Sequence, residues 1–194
     1  TISGEKIYDG LGTVSTGQID SINNTAGGET LTLSGQGSIT LPSVGTNKNI
    51  SLGTLGISNG TTGTVGSASN YSLASGTFDV TARPVTLTGS RSYDGTTTVS
   101  NSNLTTFNNL VSGETLALTG SGSVASANVG SAKSVTLGSL ALANNSGNAS
   151  NYSLSSATLD IEKRPLNISS TRAYDATTST SFSNITFGNL VGSE

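Results

Sequence analysis

Along this chain apolar residues come in alternating pairs separated by clusters of small polar residues. Leu31/Leu33, Ile50/Leu52, Leu55/Ile57, Tyr71/Leu73 and Phe78/Val80 are followed by Leu116/Leu118, Val135/Leu137, Leu140/Leu142, Tyr152/Leu154 and Leu159/Ile161. A side-chain period of two is that of a half-buried strand, and the intervening Gly, Asn and Ser clusters fall at hairpin intervals. The pattern predicts roughly seven or eight short strands in about 80 residues, the signature of a small two-layer β module. One segment departs from it. Leu104, Phe107, Leu110 and Val111 sit at helical spacing, echoed by Ile19 and Ile22 and by Phe187, Leu190 and Val191. Their Asn, Thr and Gly neighbours are poor helix formers, so the expectation is a helical turn or two at most.

The same landmarks recur in order. Tyr8-Asp9-Gly10 returns as Tyr93-Asp94-Gly95 and as Tyr174-Asp175-Ala176, at spacings of 85 and 81 residues. Between them Gly28-Glu29-Thr30-Leu31 matches Gly113-Glu114-Thr115-Leu116, Val44-Gly45 with Lys48 matches Val129-Gly130 with Lys133, and Asn70-Tyr71-Ser72-Leu73 matches Asn151-Tyr152-Ser153-Leu154. Arg83-Pro84 matches Arg164-Pro165. A fixed period of this kind decides the organisation: module 1 at 1–82, module 2 at 83–163, and at 164–194 the N-terminal part of a third, incomplete repeat. The extra length of the first copy falls in Ser58–Ser69 and reads as a loop insertion, which surface turns tolerate. Proline at each junction fixes φ and extends its predecessor, so the links should be short and stiff, with the modules end to end. The fold class expected is all-β: tandem Ig-like sandwiches or β-grasp-like sheets, the helical spacing being better accommodated by the second.

Composition narrows the chemistry. Ser, Thr, Asn and Gly, at 34, 30, 18 and 25 residues, make up over half of the 194, and His, Cys, Met and Trp are missing. Without imidazole or thiol, most nucleophile-and-base pairs and transition-metal sites are excluded. Eight Lys and Arg in a chain of net charge −3 give no basic face for phosphates, so no nucleic-acid partner is expected. No run approaches the length needed to cross a bilayer, and the first residues lack the basic and apolar regions of a signal peptide, so no membrane insertion is expected and any export signal lies outside. Low net charge and regularly placed apolar residues argue for a folded chain rather than a disordered one, and with no Cys its modules are held by burial and strand pairing.

Each candidate site has a plainer reading beside it. Asp9, Asp94 and Asp175 with Glu29, Glu114 and Glu194 suggest calcium at module junctions, but a calcium loop concentrates its oxygens within a dozen residues, whereas Tyr-Asp-Gly is a natural turn. Lys48 and Lys133 suit an intramolecular isopeptide crosslink or, more simply, solvated strand-edge lysines. Thr30-Leu31-Thr32 and Thr96-Thr97-Thr98 lack the rung spacing of an ice-binding array. Of the Asn-X-Ser/Thr sites, Asn70 and Asn151 read as local turn residues. Tyr8, Tyr71, Tyr93 and Tyr152 could form a sugar-stacking platform, yet each lies in an apolar alternation, and core packing with the hydroxyl at the module edge is the expected role. No catalytic, cofactor-binding or metal residue is therefore assigned, and no cofactor is expected.

Taken in order, Tyr-Asp-Gly, Gly-Glu-Thr-Leu, Val-Gly, Asn-Tyr-Ser-Leu and Arg-Pro resemble the YDG/MBG-type repeats of large bacterial surface proteins, in particular filamentous-haemagglutinin-like adhesins exported by two-partner secretion. Ala176 and Gly192-Ser193-Glu194 depart from that pattern. The resemblance implies a non-enzymatic, monomeric stalk segment on the outside of a Gram-negative cell or secreted from it. Its partners would be neighbouring repeats of the same chain, with extracellular polysaccharide or host glycan as the alternative, bound through loops such as Ser58–Ser69.

Overall fold

The computed structural model describes residues 1–194. The chain is all-β, about 48% strand, with no α-helix. Its helical content is confined to single 3₁₀ turns at Thr16–Gln18, Ala26–Gly28, Ala68–Asn70, Asn101–Asn103, Ala149–Asn151 and Phe182–Asn184. Two compact units form. The first combines Thr1–Val85 with Asn109–Ala117 and Leu142–Leu154, and the second combines Thr86–Asn108, Leu118–Ala141 and Ser155–Glu194.

In the first unit the strands are β1 (Ile2–Ile7), β2 (Thr13–Ser15), β3 (Ile19–Ile22), β4 (Leu31–Ser34), β5 (Gln36–Ile39), β6 (Gly45–Ser51), β7 (Gly56–Asn59) and β8 (Thr77–Thr81). Six of them make a curled half-barrel sheet in the order β2-β5-β6-β8-β1-β3, and β4 and β7 pair as a separate ribbon. All these pairings are antiparallel except one: β1 and β8, first and last, run parallel from Ser3↔Thr77 to Ile7↔Thr81. Alternation delivers the core. Phe78 and Val80 of β8 point inward with Ile2, Val14, Ile39 and Ile50, all nearly inaccessible, while Asp79 between them turns outward.

The next strands are β9 (Arg83–Ser92), β10 (Thr98–Ser100), β11 (Thr106–Asn108), β12 (Leu116–Thr119), β13 (Ser121–Val124), β14 (Gly130–Thr136), β15 (Ala141–Asn144) and β16 (Tyr152–Glu162). The sheet order β10-β13-β14-β16-β9-β11 repeats the first, position for position, and β12 and β15 form the matching ribbon. Leu87, Val99, Leu104, Val124, Val135, Leu159 and Ile161 fill the second core. Finally β17 (Asn167–Ser170) and β18 (Ile185–Gly188) pair with Ile168 opposite Phe187, as Leu87 lies opposite Phe107. Leu87 is buried, whereas Ile168 is exposed, in a sheet of two strands only.

Two local expectations need correction. The helical spacing at Leu104–Val111 does not make a helix: the 3₁₀ turn Asn101–Asn103 precedes it, β11 runs through its middle, and the spacing arises because a tight turn followed by a short strand also returns apolar residues every three or four positions. Tyr71/Leu73 lies outside any strand, the first copy resuming strand only at Thr77, whereas its counterpart Tyr152/Leu154 opens β16.

The two junction prolines differ: Pro84 lies within β9, whereas Pro165 falls between β16 and β17. Only Ala82 separates β8 from β9, and Arg83-Pro84 is itself strand. The four extra residues of the first copy hang from a fixed frame. Thr30 N–H donates to the Thr64 carbonyl and Gly66 N–H to the Thr30 carbonyl, while in the second copy Gly147 N–H donates to the Thr115 carbonyl with one residue between Asn145 and Gly147.

Because Phe78 is wholly buried at the centre of the first sheet, Phe78→Ala should lower the free energy of unfolding by about 3–5 kcal/mol. Chemical denaturation of the full chain measures it, and a loss below about 1 kcal/mol contradicts the core assigned to this sheet.

Candidate functional site

Each Tyr-Asp turn, Tyr-Asp-Gly in the first two copies and Tyr174-Asp175-Ala176 in the third, is held by a cation three residues before its aspartate. Lys6, buried in the sheet, bonds Asp9 and donates to the carbonyls of Leu11 at 2.6 Å and Thr13 at 2.9 Å. Arg91 pairs with Asp94 at 2.8 Å and Arg172 with Asp175 at 2.7 Å in the same register. Each aspartate also accepts a backbone N–H two residues ahead, from Leu11, Thr96 and Thr177. Asx geometry of this kind closes a turn on itself. Burial opposes ionisation of Asp94, yet the Thr96 hydrogen bonds and the Arg91 charge hold it below the usual carboxylate range, and the Thr177 bonds do the same at Asp175.

In the first two turns the tyrosine reaches a glutamate far along the chain, whereas Tyr174 of the third is exposed. Within the first unit, Tyr8 donates to Glu114 Oε1 at 2.6 Å, and Tyr152 donates to Glu114 Oε2, also at 2.6 Å. The two rings meet edge to face with centroids 5.5 Å apart, a favourable aromatic geometry. Both tyrosines are buried, and Val111 N–H completes the shell by donating to the Tyr152 hydroxyl. One carboxylate thus gathers the Tyr-Asp-Gly tyrosine of the first sequence copy and the Asn-Tyr tyrosine of the second. The other two glutamates hold one partner each: Glu29 accepts from Tyr71 of its own copy at 2.5 Å, and in the second unit Glu194 accepts from Tyr93 of the preceding copy at 2.6 Å.

A guanidinium clamps beside each tyrosine that crosses copies. Arg83 donates to the Asn109 carbonyl at 2.6 Å, to Asn109 Oδ1 at 2.8 Å and to the Tyr8 carbonyl at 3.3 Å. Asn109 returns a bond from its amide to the Pro84 carbonyl. Arg164, Asn189, Pro165 and the Tyr93 carbonyl repeat the set in the second unit. Both asparagines present these oxygens from the left-handed region, at φ 72° and 67°, which Asn reaches more readily than other residues bearing a Cβ. Glycine suits the turn itself: Gly10 has φ 78°, and a Cβ there would stand 3.1 Å from Val111 Cγ1, while the third copy holds Ala176 at φ 61° in the same place. Asn151, read from the sequence as a local turn residue, instead accepts the Val44 N–H at 3.0 Å, 107 residues away, and is buried. The turn is capped by Asn148.

Burial first, and then the hydrogen bond and charge of Glu114, push the Tyr8 phenol up to about 12. Tyr152 is raised by the same causes, against the Val111 bond and the Arg83 charge. Tyr93 and Tyr71 are raised chiefly by their bonds to Glu194 and Glu29. These phenols stay neutral donors that make charge-assisted bonds to the glutamates.

The six acids weighed as calcium ligands separate into two networks, the aspartates in turns and the glutamates beneath tyrosines, and no group of three or more acids converges. Lys48 and Lys133 flank β-bulges at Gly45/Lys48 and Gly130/Lys133; Lys133 donates to the Asn128 carbonyl, and neither lysine joins an ion pair. Sequence reasoning placed the tyrosines in the core but missed the Tyr–Glu pairing, the Arg–Asn clamp and the cation before each Asp. The order Arg-Pro, Tyr-Asp-Gly, Gly-Glu, Asn-Tyr held the signal, since every one of these pairs recurs.

Residues 79–159 match the YDG domain. The matched stretch opens in β8 and ends in β16, taking in Arg83, Tyr93-Asp94-Gly95, Asn109, Glu114 and Tyr152. No curated protein and no solved structure matches the chain.

Glu114→Ala strips two buried phenols of their acceptor and should cost roughly 2–4 kcal/mol of stability by urea unfolding; a change within 0.5 kcal/mol, about the size of a neutral surface substitution, contradicts the role given to Glu114. A second expectation concerns alkali. The folded phenol of Tyr8 lies near 12 and the unfolded one near 10, so its contribution is complete below pH 10 and is lost as pH rises through 12. Unfolding midpoints should fall over that window, and Tyr8→Phe should make the fall shallower.

Proposed function

We propose that this chain is a non-enzymatic spacer from a bacterial surface or secreted adhesin, in which repeats follow one another in tandem and hold a binding region away from the cell. The observation that carries this reading is the recurrence of one set of contacts, in the first unit and again in the second: a tyrosine on the glutamate of the copy that follows it, beside an arginine that binds an asparagine of its own copy and the carbonyl of that tyrosine. A contact set written into each repeat fixes the same geometry at every junction, which is what a spacer of defined reach requires. The YDG match across residues 79–159 supports the reading, as do the low charge and the short strand-bound link at Ala82. In this reading the outward-facing residues have no reactive task, and reach grows with the number of copies.

Small-angle X-ray scattering of the full chain in solution tests the proposal. A compact domain of this length has a radius of gyration of about 16 Å. The spacer reading expects a value well above that and a distance distribution with a long tail; a value at the compact limit overturns it.

A further inference from the structure

The three glutamates show one site in three states of occupancy. Glu114 holds its own copy's tyrosine and the preceding copy's; Glu194 holds a preceding tyrosine; Glu29 holds only its own, through Oε2, and its Oε1 receives nothing. The surroundings of Glu29 are nonetheless set as they are at Glu114. Ala26 N–H donates to the Tyr71 hydroxyl at 2.9 Å, as Val111 N–H does to Tyr152. Asn24 stands at φ 67° in the left-handed region, matching Asn109 and Asn189, with no arginine upon it. Asn70, the counterpart of Asn151, is exposed where Asn151 is buried against Val44. A groove of about 390 Å³ lies beside Glu29, lined by Ile19, Ile22, Leu31 and Leu33 among others.

We infer that this face of the first copy, centred on Glu29, Asn24 and Asn70, is a docking surface for the Tyr-Asp-Gly and Arg-Pro end of another repeat of the same kind. The incoming tyrosine would donate to Glu29 Oε1, the arginine would straddle the Asn24 carbonyl and side chain, and a backbone N–H would reach Asn70. The chemistry that recognises the partner is the one on view at Glu114: a neutral phenol for a half-satisfied carboxylate, and a planar guanidinium for two oxygens offered by a left-handed asparagine. The open oxygen of the Glu29 carboxylate and the left-handed Asn24 with no arginine upon it are both accounted for by one occupant. The inference rests on the tandem reading above and adds to it the surface through which a further repeat is held.

The test duplicates residues 1–85 ahead of Thr1, which places the added tyrosine 106 residues before Glu29, the separation of Tyr8 from Glu114. Amide exchange at residues 24–31 should slow at least tenfold relative to the parent chain, and either Glu29→Gln or a Tyr→Phe change in the added Tyr-Asp-Gly should restore most of the parent rate. Unchanged exchange in the duplicated chain, or slowing that survives both substitutions, overturns the docking surface. Scattering from the same sample separates this from the spacer reading: a lengthened particle with unchanged exchange removes the docking surface and leaves the spacer, while slowed exchange in a particle that does not lengthen keeps the docking surface and removes the spacer.

Discussion

Glu114, half-buried beside two buried phenols, has both of its carboxylate oxygens hydrogen-bonded, through tyrosines 106 and 38 residues away. Because both hydroxyls converge on one carboxylate, the position of each tyrosine is constrained by the other. The first copy, through Tyr8, and the second, through Tyr152, are in this way made to agree on one point in space. The neighbouring contacts meet at the same place: the Arg83 guanidinium that binds Asn109 also donates to the Tyr8 carbonyl.

The requirement reaches back into the sheets. Tyr8 follows β1 directly, and its N–H donates to the Thr81 carbonyl at the end of β8. Seating the tyrosine therefore fixes the end of the parallel pair, and the Lys6–Asp9 contact fixes the turn that follows. Lys6 is replaced by Arg91 and Arg172 in the later copies, which keeps the charge but not the shape. The buried Nε of Arg91 has no hydrogen-bond partner, a cost that the more compact ammonium of Lys6 does not incur.

How much of this could be read from the sequence differs by level. The strands were legible because a half-buried strand imposes alternation, and Phe78/Val80 and Leu159/Ile161 behave as that rule demands. The repeat was legible because its motifs keep their order. The parallel pairing of β1 with β8 was not, since alternation reports which face a strand buries and says nothing of its neighbour's direction. The seam was legible only as a set of recurring residues, because Tyr8 and Glu114 are matched across copies while comparison of copies aligns each residue with its own counterpart. Asn151 misled for a related reason: an asparagine before a turn usually bonds locally, and nothing in its neighbourhood signals a partner 107 residues away. Leu104–Val111 misled because a 3₁₀ turn and a three-residue strand together imitate the spacing of a helix.

The parallel alignment of Ser3–Ile7 with Thr77–Thr81 has a mechanical consequence. These two strands are the first and last of the stretch that carries them, so tension entering at one end and leaving at the other draws them along their axes in opposite directions. The ladder between them is then loaded in shear, and its hydrogen bonds must give way together. In a hairpin pulled from its two ends they would open one at a time. A domain threaded in this way yields late under load, and with no Cys in the chain it does so without a disulfide.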